Sequence, residues 1–125
     1  MGIEFLDIWT VMHFLSGVFI TATLIPSNPC ASLIVCNILH FISECIENNK
    51  DPTGKVLETN INHFGDIIYF FMGSLVGYNL TEYFVENPCQ RYIVLFICII
   101  ISVQEIGREL YPHNWPFGGA FSKFS

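Results

Sequence analysis

Four apolar stretches dominate the chain, running from about Phe5 to Ile25, Pro29 to Glu47, His63 to Phe84 and Pro88 to Leu110. Each is long enough, or nearly so, to cross a hydrocarbon core of about 30 Å, which takes about 20 helical residues. The runs are continuous and do not alternate, so they read as helices and not as the strands of a membrane barrel. Composition agrees: 13% of the residues are charged, against about 25% in an ordinary soluble domain. With 52% apolar residues, the 125-residue chain has little polar surface to cover a soluble bundle, which is the alternative fold. Disorder is excluded by the long apolar runs and the 15% aromatic content. A nucleic-acid partner is excluded by the charge, five Lys and Arg against eleven Asp and Glu, because such a partner needs a basic footprint. The expected fold class is therefore all-α: a polytopic membrane protein with four transmembrane helices in residues 1–110 and an aromatic interfacial tail over 111–125.

The breaks between the runs have local causes. Ser27-Asn28-Pro29 and Glu86-Asn87-Pro88 each read as an Asn N-cap followed by proline at the first helical position. Asp51-Pro52-Thr53-Gly54 is a turn signal inside the longest loop, Asn48 to Asn62. Pro112 and Pro116 stop the fourth helix, and Tyr111, Trp115 and Phe117 suit the headgroup layer. Four spans place both termini and the middle loop on one side, together with Lys50, Lys55, Arg108 and Lys123, and leave Arg91 on the other. The positive-inside rule then puts the termini in the cytoplasm. With no basic n-region or small-residue cleavage site, the first span is expected to be retained.

A shift of 59 residues lays Phe5-Leu6-Asp7-Ile8 on Phe64-Gly65-Asp66-Ile67, Asn28-Pro29-Cys30 on Asn87-Pro88-Cys89, and Ser43 on Ser102. This suggests two repeated helical hairpins of equal orientation, related by an axis along the membrane normal; shared composition and turn chemistry is the alternative. Cysteines 30, 36, 45, 89 and 98 have no metal-type spacing. Cys30 and Cys89 fall at corresponding helix ends, where a disulfide is a minor expectation beside free thiols.

Ionisable residues inside a span are costly, so their positions carry information. Asp7, Thr10, His13, Gly17 and Thr21 share one helical face, as do Asn37, His40, Glu44 and Glu47 in the second run. The third run offers His63, Asp66, Phe70, Gly73 and Gly77, and the fourth Cys98, Ser102, Glu105 and Glu109 beside Arg108. With the topology above, the acidic ends of all four helices lie on the cytoplasmic side, with His13 and His40 about 6–9 Å deeper at 1.5 Å per residue. Together they outline a polar pocket suited to acid/base work or cation binding. For Asp7, Glu47 and Glu109 an interfacial position is the competing reading, and for Glu44, Asp66 and Glu105 a structural interhelical pair. Gly73-x-x-x-Gly77 permits close helix approach and needs no ligand.

Asp7-Ile8-Trp9-Thr10-Val11-Met12-His13 with Gly17, then Glu44-Cys45-Ile46-Glu47-Asn48, then Gly65-Asp66 with Gly73 and Gly77 occur in an order and spacing similar to the VanZ-like membrane proteins. Within that group the chain most resembles a small bacterial multi-pass family of unknown function. The pattern usually has Asn four residues after the Asp, where this chain has Phe70. The resemblance implies a four-helix membrane fold whose polar residues gather at one membrane face, and a group for which lipid-headgroup chemistry has been proposed.

The leading expectation is a pocket at the cytoplasmic leaflet that binds or processes a phospholipid or polyprenyl headgroup, as a membrane-embedded hydrolase or transferase would. Glu44 and Asp66 are the acid/base candidates and His13 a proton shuttle or phosphate partner. Asp7, His40, Glu47, Asn48, His63, Glu105 and Arg108 are candidate positioning groups. The local charge is acidic, and a divalent metal bridging carboxylates and phosphate would offset it. Membrane lipids are the expected partners, with a homo-oligomer as a further option. The alternatives are a proton or divalent-cation conduit using the same carboxylate–histidine cluster, and a non-catalytic assembly protein.

Overall fold

Pro26 ends the first helix, because the residue before a proline is driven out of the helical region. In the computed structural model α1 spans Ile8–Leu24, followed by α2 (Pro29–Ile46), α3 (Asn60–Glu86) and α4 (Pro88–Leu110). The structure describes residues 8–47 and 59–110, with side chains over 10–47 and 59–104, and these residues contain helices and no strand. The turn signal at 51–54, the tail 111–125 and the N-terminal end of the first run lie outside the described residues.

The two hairpins turn differently. Asn28 caps α2 as the sequence suggests: its side chain accepts from the Ala31 N–H at 3.0 Å, and Pro29 opens the helix. No proline corresponds to Pro26 in the second hairpin, so α3 runs on to Glu86 and a single residue, Asn87, separates it from α4. Asn87 holds the N-cap position of α4, its carbonyl accepting from the Arg91 N–H at 3.1 Å, but its side chain caps the other helix. Asn87 is the C-cap of α3, and its amide donates backward to the Tyr83 carbonyl at 2.8 Å. At its other end α3 starts earlier than the apolar run, with Thr59 as the N-cap accepting from the Asn62 N–H at 3.3 Å. Residues 60–62, expected in the loop, are the first turn of α3. Glu47, expected in the second span, is the C-cap of α2.

α1 and α3 form the central pair. They run parallel and approach so closely that a Cβ added at Gly73 would lie 2.0 Å from the Phe14 carbonyl oxygen. The same addition at Gly77 would lie 2.2 Å from the Val18 oxygen, and at Gly17 2.2 Å from the Phe70 oxygen. In two of these contacts, Phe14 with Gly73 and Val18 with Gly77, the facing residues are 59 apart, the offset at which the two halves of the sequence resemble each other. α2 packs on α3 and α1, and α4 lies chiefly against α1.

The interior of the bundle is mostly polar or small, with Phe70 and Phe84 as its large apolar members, and its outside is apolar. Thr10, Thr21, Thr23, Ser32, Asn62, Asp66 and Ser74 are among the fully or almost fully buried residues. Neutral groups link the helices: Asn37 Nδ2 donates to Ser74 Oγ at 2.8 Å, Ser32 Oγ donates to the Thr21 carbonyl at 2.6 Å, and Cys36 Sγ lies 2.8 Å from Thr21 Oγ1. Arg91 Nε donates to the Thr23 carbonyl at 3.0 Å, where a cation suits a helix C-terminus. Outward stand Ile34, Ile38, Leu39, Phe41 and Ile42 on α2, and Tyr92, Ile93, Phe96, Ile97 and Ile100 on α4. Among the described residues one helix, Pro29–Ile46, is long and apolar enough to cross a membrane; Thr10–Leu24 and Pro88–Gln104 are shorter apolar stretches. All five cysteines are free, so Cys30 and Cys89 do not pair.

A candidate histidine–carboxylate site

Glu44 sits one helical turn after His40, on the α2 stripe that faces α1 and α3, so its carboxylate points into the bundle. Its side chain is 4% exposed. A carboxylate so deeply placed needs partners, since desolvating it unpaired is prohibitive. Three histidines from three helices surround it. His63 Nδ1 on α3 is 2.6 Å from Oε2, a short ring-to-carboxylate hydrogen bond. Oε1 faces the other two, with His40 Nε2 at 3.5 Å and His13 Nδ1 of α1 at 3.9 Å.

The second carboxylate lies across His13. Asp66 Oδ2 is 3.5 Å from His13 Nε2 and accepts from Asn62 Nδ2 at 2.9 Å, one turn earlier on α3. Both Asn62 and Asp66 are buried. The imidazole of His13 therefore stands between two carboxylates, with one ring nitrogen toward each. His40 is held in a different way: its ring stacks on Phe70 with centroids 4.0 Å apart and planes 14° from parallel. The His13 and His40 rings are 5.0 Å apart. Phe70 is buried and closes the site on the side of the neutral hydrogen bonds described above.

Of the residues singled out in the sequence, the structure brings together His13, His40, Glu44, His63 and Asp66. Glu47 joins at the edge, its carboxylate within 4.8 Å of ligand atoms of Glu44 and His63. Asp7 and Asn48 lie outside the described residues, and Glu105 and Arg108 are described only as backbone of α4. Two residues that shape the site were not given roles by the sequence. Asn62 was assigned to a loop, although Asn and Asp at i,i+4 are positioned to bond on a helix. Phe70, placed on the inward stripe of the third run and noted as a departure from the VanZ-like pattern but given no role, supplies the face on which His40 is fixed.

The opposite end of the bundle offers different chemistry. An open cleft there is lined by Pro26, Ser27, Phe84, Val85, Pro88 and Arg91, and its one ionisable side chain is engaged with α1. The imidazole–carboxylate cluster is chemically richer. Neutral imidazole is both donor and acceptor and carries protons near neutral pH, carboxylates serve as bases, and two imidazoles with a carboxylate form a common metal-ligand set. The site is thus of the acid/base or metal-ligating class, placed at one end of a helical bundle. No protein-family model, curated protein or solved structure matches the chain.

Proposed function

We propose that the chain is a four-span integral membrane protein of the VanZ-like kind, with both termini cytoplasmic, and that its cluster binds and processes a phosphate-bearing lipid headgroup at the cytoplasmic leaflet. The observation that carries this reading is the placement of Glu44. Its buried carboxylate and three histidines lie at one end of a bundle whose outer surface is apolar. A soluble bundle buries its large apolar side chains and exposes its polar ones. Here most of the helical threonines, serines and glycines are inside, with Phe70 and Phe84, while most of the large apolar side chains are outside, as helix association in lipid requires. α3 owes part of its lower apolarity to Asn62, His63 and Asp66, which belong to the site.

In this reading the headgroup enters from the cytoplasmic interface. Glu44 and Asp66 are the acid/base groups, His13 moves protons between them, and His40 and His63 orient the Glu44 carboxylate. Phospholipid and polyprenyl phosphate share the phosphate that the site would recognise.

The test uses purified full-length chain and short-chain lipids: dihexanoyl phosphatidylglycerol and farnesyl phosphate, against dihexanoylglycerol and farnesol. Saturable binding is expected for the two phosphates, with the alcohols about tenfold weaker or worse, the worth of one charge-assisted hydrogen bond. Equal binding of phosphates and alcohols would overturn the reading. Phosphorus NMR of the same samples reports headgroup turnover.

A further inference from the structure

We infer that His13 Nδ1, His40 Nε2 and Glu44 Oε1 form a three-ligand site for a zinc-like divalent transition metal, with a fourth position left for the headgroup. This deepens the headgroup reading, and the role of the fourth position rests on it. The three atoms lie within 4.8 Å of one another. Glu44 Oε1 is 3.5 Å from His40 Nε2 and 3.9 Å from His13 Nδ1. Tetrahedral ligands about 2.0–2.1 Å from a metal are about 3.3–3.4 Å apart, so small side-chain movements bring the three into position.

An independent feature points to a ligand. The His40 side chain is 10% exposed, and its buried Nε2 makes no hydrogen bond. Phe70 holds the ring face to face, so this nitrogen stays directed at Glu44 Oε1. Leaving a buried polar atom without a hydrogen bond is costly, and a metal between His40 and Glu44 would engage it. His40 and Glu44 are four residues apart on one helix face, a spacing at which two side chains meet one ion.

The surrounding groups have the arrangement that metal sites use to orient their ligands. His13 turns Nδ1 to Glu44 and Nε2 to Asp66, so the second carboxylate fixes the ring as in carboxylate–histidine–metal triads. His63 bonds Glu44 Oε2, while Oε1 is the oxygen that faces His13 and His40. Two imidazoles and one carboxylate favour zinc, cobalt or iron over calcium and magnesium, which prefer all-oxygen shells. The charge also fits. Among the described side chains the one Lys or Arg is Arg91, at the far end of the bundle. Glu44 and Asp66 make the described part of the site acidic, and a metal there would offset that charge for a phosphate. Glu44, Glu47 and His63 form a rival group of the same size, but there the Glu44 oxygen is already bonded to the His63 nitrogen.

The full chain, stripped with chelator, is titrated with Co²⁺ and then Zn²⁺. One Co²⁺ per chain is expected, with the visible absorption of four-coordinate geometry, displaced by Zn²⁺. His40→Ala and Glu44→Gln should each lose the band and weaken binding more than about a hundredfold. Asp66→Asn should weaken it about 10–100-fold, as loss of an orienting partner does, whereas Glu47→Gln, at the edge of the cluster, should keep the band and weaken binding by less than about tenfold. Zinc-edge X-ray absorption on the unmodified protein needs no folded variant and should show two imidazoles in a nitrogen/oxygen shell at about 2.0–2.1 Å. A wild-type chain that takes up no Co²⁺, an absorption edge without imidazole, or loss of metal in Glu47→Gln but not His40→Ala would overturn the assignment. Repeating the lipid titration with chelator separates the two claims. Phosphate binding that survives metal removal refutes the metal's role and leaves the headgroup reading intact. A metal-loaded chain that ignores phosphate lipids refutes the headgroup reading and leaves the metal site standing.

Discussion

Gly73→Leu is expected to abolish the folded bundle, with loss of the cooperative thermal transition and of a single sharp size-exclusion peak. Even the first added carbon would stand 2.0 Å from the Phe14 carbonyl oxygen and 2.9 Å from its carbon. The obstacle is helix backbone, which cannot rotate away as a side chain does. α1 would have to retreat by more than an ångström along the parallel contact with α3. Overpacking a tight interior costs about 1–3 kcal/mol and occasionally more. Here the upper end or beyond is expected, because the retreat also separates His13 from Asp66 and Thr21 from Cys36. Set against a total stability of about 5–15 kcal/mol, that loss is large. Gly77→Leu and Gly17→Leu should behave alike. Val76→Leu, next to Gly77 but 45% exposed, should change stability by no more than about 0.5 kcal/mol. Thermal unfolding in one detergent checks all four.

The second large effect is at Glu44. Glu44→Ala should leave the helices in place yet weaken binding of farnesyl phosphate more than about a hundredfold, about 2.7 kcal/mol. The substitution removes the group that faces His13, His40 and His63 at once. It also takes from the His63 ring nitrogen the carboxylate it bonds, a stability cost of about 1–3 kcal/mol for a polar group left unsatisfied. Glu44→Gln keeps the size and one hydrogen bond to His63 but loses the charge, and should bind the lipid nearly as poorly as alanine while recovering stability. Titration of the three proteins with farnesyl phosphate, with circular dichroism on the same samples, separates function from fold. Variants that lose stability but bind the lipid as the wild type does would assign Glu44 a structural role, as in an assembly protein.

Much of the site was legible in the sequence because polar residues in an apolar helix reveal the inward face. His13 with Gly17 and Thr21, His40 with Glu44, and His63 with Asp66, Gly73 and Gly77 recur at helical spacing, and that spacing alone aligns them. The exchange of contacts within the cluster was not legible. Which nitrogen of His13 meets which carboxylate depends on the offset between α1 and α3, and that offset is set by backbone contacts at Gly17, Gly73 and Gly77. Asn62 was hidden for another reason. A hydropathy boundary falls at the first apolar residues, whereas the helix starts at the Thr59 hydroxyl cap, which carries no apolar signal. Asn87 was read in part: it precedes Pro88 at the start of α4 as expected, but the uninterrupted course of α3, with no counterpart of Pro26, also makes it the C-cap of α3 and turns its side chain backward. Phe70 was seen as a substitution in a pattern, and its partner His40 lies on a different helix.

The membrane arrangement has reporters already in the chain. Cys45 is exposed near the end of α2 that carries Glu44, while Cys30 and Cys89 are exposed at the starts of α2 and α4, at the opposite end of the bundle. Sealed vesicles of known orientation, treated with a membrane-impermeant maleimide and analysed by peptide mass spectrometry, test the arrangement directly. The four-span reading predicts that Cys45 reacts from the cytoplasmic side only and that Cys30 and Cys89 react from the other side only. Labelling of all three from one side, or a chain that leaves the membrane in an alkaline wash, would contradict it.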